Sequence, residues 1–197
     1  MKRLLAAIAA GAAVAVVALS LGIAVRPDPS AASPVRPVTQ VPTATAVVTP
    51  LSQAEKDGLV FMREEEKLAR DVYRVLGAEY SARIFGTIAR AESTHMTAVK
   101  TLLDKYGVAD PASPDVAGSF QDAELQQLYD TLIAQGADSL TAALQVGIAI
   151  EMADIDDLKA HSAETKHSDI RRVYTNLLRG SRNHLRAFKT LLARYGD

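Results

Sequence analysis

In the stretch IARAESTHMTAV, Ile88 to Val99, an acid and an imidazole stand where a buried seam should run. Apolar residues at Ile84, Ile88, Val99, Leu102 and Tyr106 recur at helical spacing, and the stripe positions between Ile88 and Val99 are Glu92 and His95. Three other stretches repeat the oddity. In FMREEEKLARDV, Glu65 interrupts the stripe Phe61, Met62, Leu68, Ala69, Val72, Leu76, with Glu64 and Glu66 more to its sides. Glu151 and Asp154 interrupt Leu140, Leu144, Ile148, Ile155, Leu158, and Ser181 and His184 interrupt Ile170, Val173, Leu177, Phe188, Leu191, Tyr195. The inferred core therefore contains Glu65, Glu92, His95, Glu151, Asp154 and His184.

Four ionised carboxylates in an apolar interior cost several kcal/mol each, and their mutual repulsion adds to that. Something positive must neutralise them. The stripes carry no Lys or Arg at these levels. Two divalent cations bring matching charge, and six protein ligands around two ions leave positions open for water, oxygen or peroxide. The chain has no Cys, which excludes thiolate zinc sites, iron–sulfur clusters, disulfides and Cys nucleophiles. Mixed carboxylate and imidazole ligation suits iron first, and manganese or zinc also fit. No catalytic residue is assigned beyond these ligands.

The elements that must position these residues are helices. The chain is rich in Ala and Leu, poor in aromatics and free of Trp, and no stretch alternates with period 2. A capping box, Ser52 with Glu55 three residues on, opens a helix over about 53–77. Further helices are expected over about 81–106, 122–135, 139–161 and 169–194, with GVADPASPDVAGSFQD as a loop. The expectation is an all-α four-helix bundle whose one long crossover, between the second and third long helices, contains the short extra helix. In the first hairpin Glu65, Glu92 and His95 fall at one level. In the second, His184 lies roughly one turn further from its loop than Glu151, an offset of ~5–8 Å at helical rise.

Two segments precede this domain. Lys2 and Arg3 open an uncharged apolar run from Leu4 to Val25, long enough to cross ~30 Å of hydrocarbon. Residues 1–25 read as a single-pass anchor, or as a signal peptide with small residues near Ala24 and Ala32 for cleavage. Residues 26–50 hold most of the prolines and read as a Pro/Ala/Thr-rich linker. The folded domain, 51–197, is thus expected outside the cytoplasm, tethered to the cell membrane or secreted.

The pattern resembles the ferritin-like superfamily, whose di-iron sites take a Glu from each of two helices and Glu-x-x-His from each of the other two. Here ESTH, Glu92 to His95, matches one Glu-x-x-His, and Glu65 and Glu151 match the single Glu positions. The last helix departs: it reads SRNH, with Ser181 where a Glu is expected, and Asp154 is placed to supply that carboxylate. More closely, LSQAEKDGLVFMREEEKLARDVY, ESTHMTAVKTLLDKYG and DIRRVYTNLLRGSRNHLRAF resemble the prokaryotic ferritin-like domain of unknown function family 2202 (DUF2202). That resemblance implies the fold and leaves activity open.

Two functions follow as expectations. One is oxidation of Fe(II), or reduction of oxygen or peroxide, at a dinuclear site. The other is a non-catalytic envelope module that binds metal or a partner without turnover. The net charge of −1 sets no field for nucleic acid. His161 and His167 read as surface residues, REEEKLARD as a face that could be solvated, and Tyr106 and Tyr174 as core. Arg172, Arg179, Arg182, Arg186 and Lys189 centre opposite His184 and read as a solvated face, or as a contact for anionic lipid or polymer. Oligomeric state is left open.

Overall fold

The computed structural model describes residues 49–195, so the expected anchor or signal and nearly all of the linker lie outside the described residues. Five helices and no strands make up the described residues: α1 Gln53–Tyr80, α2 Arg83–Tyr106, α3 Ala123–Gly136, α4 Leu140–Glu164 and α5 Ser168–Tyr195. Among the described residues no helix is long and apolar enough to cross a membrane.

The helix ends follow local chemistry. Ser52 and Glu55 form the capping box of α1 in both directions. Asp122 caps α3 by accepting from the Glu124 and Leu125 amides, and Ser139 caps α4 by accepting from Ala142. Gly107 ends α2 in the left-handed conformation. Gly77, the expected end of α1, lies inside the helix, which continues to Tyr80. A Cβ at Gly77 would meet the Phe85 Cβ at 3.0 Å, so the glycine serves the close approach of α1 and α2 rather than a stop.

Helices α1 and α2 pair along their length, as do α4 and α5; α1–α4 and α2–α5 contacts close the bundle, and α3 packs on α1 and α4. Two apolar clusters fill it. One gathers Tyr73, Leu76, Phe85, Leu144 and Phe188 with residues of α3, and the other gathers Leu59, Met62, Val99, Leu158 and Tyr174. On every long helix the two clusters are separated by a short polar interval. Those intervals hold Glu65 and Glu66 on α1, Glu92 and His95 on α2, Glu151 and Asp154 on α4, and Ser181 and His184 on α5.

The charged run of α1 is buried throughout, from Arg63 to Asp71, which corrects the solvated alternative for REEEKLARD. The crossover between α2 and α3 lies over it. Asp110 takes a two-point ion pair from Arg63 at 2.9 and 3.0 Å, and Asp115 one from Arg70 at 2.6 Å twice. The Gly118 amide donates to Asp71, and the Gln121 and Asp122 amides donate to Glu64. Lys67 pairs with Asp71 at 2.7 Å and lies over the Phe120 ring.

His161 and His167 also differ from the surface reading. His167 Nδ1 lies 2.8 Å from Glu55, whose carboxylate accepts from Thr165 Oγ1 and the Lys166 amide. That cluster binds the first turn of α1 to the α4–α5 turn. His161 packs its ring against Phe61 and Tyr174. Tyr174 is core, and the basic residues of α5 face solvent.

Candidate metal centre

Glu64 serves the crossover, and the next two glutamates of α1 divide between two seams, because α1 contacts α2, α3 and α4. Glu65 follows the stripe Phe61, Leu68, Val72 and lines a cavity of about 20 Å³ with Leu68, Leu128, Leu132 and Ala153, on the side of α3 and α4. Glu66 follows a second buried stripe, Leu59, Met62, Ala69, Tyr73, and meets α2. Its Oε2 is 3.1 Å from His95 Nδ1. Glu66 is therefore the α1 carboxylate beside the Glu92–His95 pair, a position that sequence reasoning gave to Glu65.

Two groups of three donors stand close enough to hold a metal ion: Glu66, Glu92 and His95, and Glu92, Glu151 and His184. Glu92 belongs to both. His95 Nδ1 is 2.7 Å from Glu92 Oε2, and His184 Nδ1 is 2.9 Å from Glu92 Oε1 and 3.5 Å from Glu151 Oε2. The two imidazoles lie nearly parallel, 5.7 Å apart between ring centres. The expected one-turn offset between Glu151 and His184 is absorbed by side-chain direction. Helical side chains lean toward their own N-terminus, so in an antiparallel pair Glu151 leans away from the α4–α5 turn and His184 leans toward it.

Several donor atoms here have no hydrogen-bond partner although they are buried: both Glu65 oxygens, Glu66 Oε1, Glu92 Oε1, Asp154 Oδ1 and His184 Nδ1. His184 Nδ1 and Glu92 Oε1 are near in distance yet misaligned for a hydrogen bond. Buried carboxylate oxygens and ring nitrogens left without a partner are rare in an interior, and their density in one layer suits a cation. The chemistry of the set, carboxylates with imidazole nitrogens, fits iron, manganese or zinc.

Electrostatics describe the metal-free layer. Burial lifts Glu151 to about 8, against the opposing pull of the nearby His184 imidazole. Burial likewise lifts Asp154 to about 7, against the neighbouring Ser181 hydroxyl. Burial, with repulsion from Asp154, raises both Glu65 and Glu66 well above the carboxylate range. Glu92 runs the other way: burial favours its neutral form, but the adjacent His184 and His95 imidazoles prevail and hold it at about 2. Burial disfavours charge on the imidazoles, yet Glu66 and Glu92 raise His95 to about 11, and Glu151 and Glu92 raise His184 to about 10. Without metal, the balance favours charge on Glu92 and its two imidazoles and protons on the outer acids.

Two supporting residues, Tyr73 and Gly180, carried no signal strong enough to single them out, whereas Ser181 stood out as the departure from Glu-x-x-His. Tyr73 donates its hydroxyl to Glu151 Oε1 at 2.7 Å and packs its ring on Phe85 and Phe188. Its stripe with Glu66 was legible in hindsight as a second period on α1. A Cβ at Gly180 would stand 2.6 Å from His95 Nε2, so this glycine makes the room that the imidazole occupies. Ser181, where a Glu was expected, donates to the Leu177 carbonyl and leaves space that Asp154 of α4 borders.

The model of the family described as Uncharacterized protein domain (DUF2202) matches residues 55–197. This chain belongs to the DUF2202 family. The chain is 49% identical over 148 residues to uncharacterized protein MJ0754 of Methanocaldococcus jannaschii, covering 75% of this chain and 80% of that protein. The crystal structure of hypothetical protein MJ0754 from Methanococcus jannaschii superposes with a TM-score of 0.75 at 48% identity, over 76% of this chain and 86% of that one. The crystal structure of a DUF305 fragment from Deinococcus radiodurans superposes with a TM-score of 0.53 at 15% identity, over 74% of this chain and 99% of the fragment. That second likeness concerns the fold alone.

Proposed function

We propose that this DUF2202 chain is a ferritin-like bundle that holds two iron ions in its polar layer and oxidises Fe(II) or reduces oxygen or peroxide there. The observation that carries the proposal is the pair of donor triads sharing Glu92, lined by buried atoms without hydrogen-bond partners. Iron bound there supplies single-electron exchange with oxygen or peroxide. Glu92 is the shared carboxylate, with Glu66 and His95 on one side and Glu151 and His184 on the other. Asp154, beside Ser181, offers the carboxylate that α5 lacks.

The chain's own residues prepare the site. Tyr73 fixes the orientation of Glu151 through its hydroxyl. The neighbouring carboxylates favour the protonated rings of His95 and His184 in the metal-free protein, and a ring proton would leave before its nitrogen could serve as a ligand. Apolar clusters flank the layer on both sides, while the His95 and His184 rings stay partly exposed at its edge. The Leu4 to Val25 run and the proline-rich linker favour a bundle held outside the cytoplasmic membrane, or released there if the run is cleaved.

The test is oxidation by the metal-stripped protein loaded anaerobically with Fe(II), then exposed to air or to peroxide. Oxidation should run at least ~10-fold faster than free Fe(II) in the same buffer and lose that gain in Glu92→Ala and His184→Ala, since loss of a ligand typically removes most metal affinity. Fe(II) bound tightly but oxidised no faster than in buffer would favour the module without turnover.

A further inference from the structure

We infer that the cavity beside Glu65 is a binding site for one small, neutral molecule with two adjacent hydrogen-bonding oxygens, hydrogen peroxide. For its role, as the place where the oxidant waits beside the metal layer, it rests on the proposed function; its contacts involve no metal.

Glu65 supplies the first observation. It is 2% exposed, and both of its carboxyl oxygens are buried without a hydrogen-bond partner. The nearest cations of its own helix are committed elsewhere, Arg63 to Asp110 and Lys67 to Asp71. A carboxyl group shut in this way has given up its water for nothing, and a bound donor would recover that cost.

The cavity supplies the second. Its other lining residues are Leu68, Leu128, Leu132, Ala149, Ile150 and Ala153, so Glu65 is its single polar side chain. That rules against a cation, which needs several donor atoms from different groups. The volume of about 20 Å³ exceeds the ~10–15 Å³ that one water requires and leaves little room for a second, separate water. Two bonded oxygens fit that space. A lone water is also held poorly here, because interior waters usually make about three hydrogen bonds and this lining offers one carboxyl group. Each oxygen of peroxide both donates and accepts, so one molecule meets both oxygens of Glu65. The match holds whether the carboxyl is ionised, with two acceptors, or protonated, with one acceptor and one donor. Dioxygen donates nothing and leaves an acceptor unanswered.

Placement is the third observation. Glu65, Ile150 and Ala153 immediately precede Glu66, Glu151 and Asp154, so the cavity borders the polar layer on the side of α3 and α4. Ala149, the half-buried member of the lining, also lines an outer groove with Gln135, Asp138 and Gln145. That groove gives a neutral polar solute a way in.

The test uses the full-length, metal-stripped protein with 13C at its glutamate side-chain carboxyls. Added hydrogen peroxide should shift one carboxyl signal saturably, the signal that is missing from Glu65→Leu. In crystals soaked with peroxide, the density beside Glu65 should be elongated, as two bonded oxygens are. Ala149→Leu, which narrows the mouth and keeps the carboxyl, should weaken the saturable shift. Circular dichroism checks that each variant is folded. In the iron-loaded protein, Glu65→Leu should raise KM for peroxide at least ~10-fold, the worth of about one hydrogen bond. Saturable binding without faster Fe(II) oxidation by peroxide would uphold the site and overturn the proposed oxidation. Fast oxidation by peroxide with no shift of the Glu65 signal, or with the same KM in Glu65→Leu, would overturn the site alone. A single round water beside Glu65 that peroxide does not replace would also overturn it.

Discussion

Removing metal should make the stability of this protein fall as pH rises, because the metal-free layer is held together by protons. Glu151 and Asp154 keep their protons to about 8 and about 7 in the folded protein. An unfolded chain releases them near pH ~4. Their folded values are raised, so their contribution is fully present below the unfolded value and is lost as pH climbs through the folded one. Each proton held by the native state and lost by the unfolded one changes stability by about 1.4 kcal/mol per pH unit. Between about pH 5 and about pH 7, one such proton amounts to ~2.7 kcal/mol and two approach ~5 kcal/mol. Glu65 and Glu66, raised by burial, act in the same direction. His95 and His184, raised to about 11 and about 10, extend the loss above the ordinary imidazole range. Glu92 has the opposite sign, but its window lies between about 2 and the usual carboxylate value, below this range. At ~2–4 °C per kcal/mol for a domain of this size, the melting temperature should drop by roughly 5–20 °C from about pH 5 to about pH 7. The assay is thermal unfolding followed by circular dichroism, with chelator and then with Fe(II) or Mn2+ restored. The metal-loaded protein should melt higher and depend less on pH, since the ions replace the protons. A metal-free melting temperature that is flat or rises across this window would refute the buried-acid reasoning.

Three other outcomes follow from named contacts. Gly180→Ala, a change that usually steadies a helix by ~0.5–1 kcal/mol, should here displace His95 and lower metal affinity at least ~10-fold in a metal-competition titration. Unchanged affinity would show that the imbedded imidazole has room to move. Tyr73→Phe keeps the ring packing on Phe85 and Phe188 but removes the hydroxyl from Glu151; it should weaken metal binding ~10-fold, as loss of an orienting partner does, with melting of the metal-free protein changed by less than ~2 kcal/mol. In spheroplasts, added protease should degrade residues 51–197, and N-terminal sequencing of the mature protein should then separate an anchor from a cleaved signal; a protected domain would place it inside.

The helical architecture was legible in the sequence because apolar periodicity and capping residues agree. Ser52 with Glu55, Ser139 and Gly107 act where their chemistry predicts. The polar layer was legible too, since Glu92, His95, Glu151 and His184 interrupt otherwise regular stripes. Glu66 was not, because a single stripe was followed on a helix that has neighbours on three sides. With two buried stripes on α1, both Glu65 and Glu66 point inward, toward different seams. The burial of Arg63, Lys67, Arg70 and Asp71 was hidden for a different reason. A charged run looks solvated until the loop that covers it is known, and the matching acids, Asp110 and Asp115, lie about forty-five residues further along the chain. Gly180 carried no periodic signal, since its role is the absence of a side chain where His95 lies.

The measurement that bears most directly on the central claim is anomalous diffraction from crystals of the protein loaded with Fe(II), collected on both sides of the iron absorption edge. The account predicts two iron peaks flanking the Glu92 carboxylate, one against His95 Nδ1 with Glu66 and one against His184 Nδ1 with Glu151. A polar layer with no anomalous density under saturating Fe(II) would contradict the account.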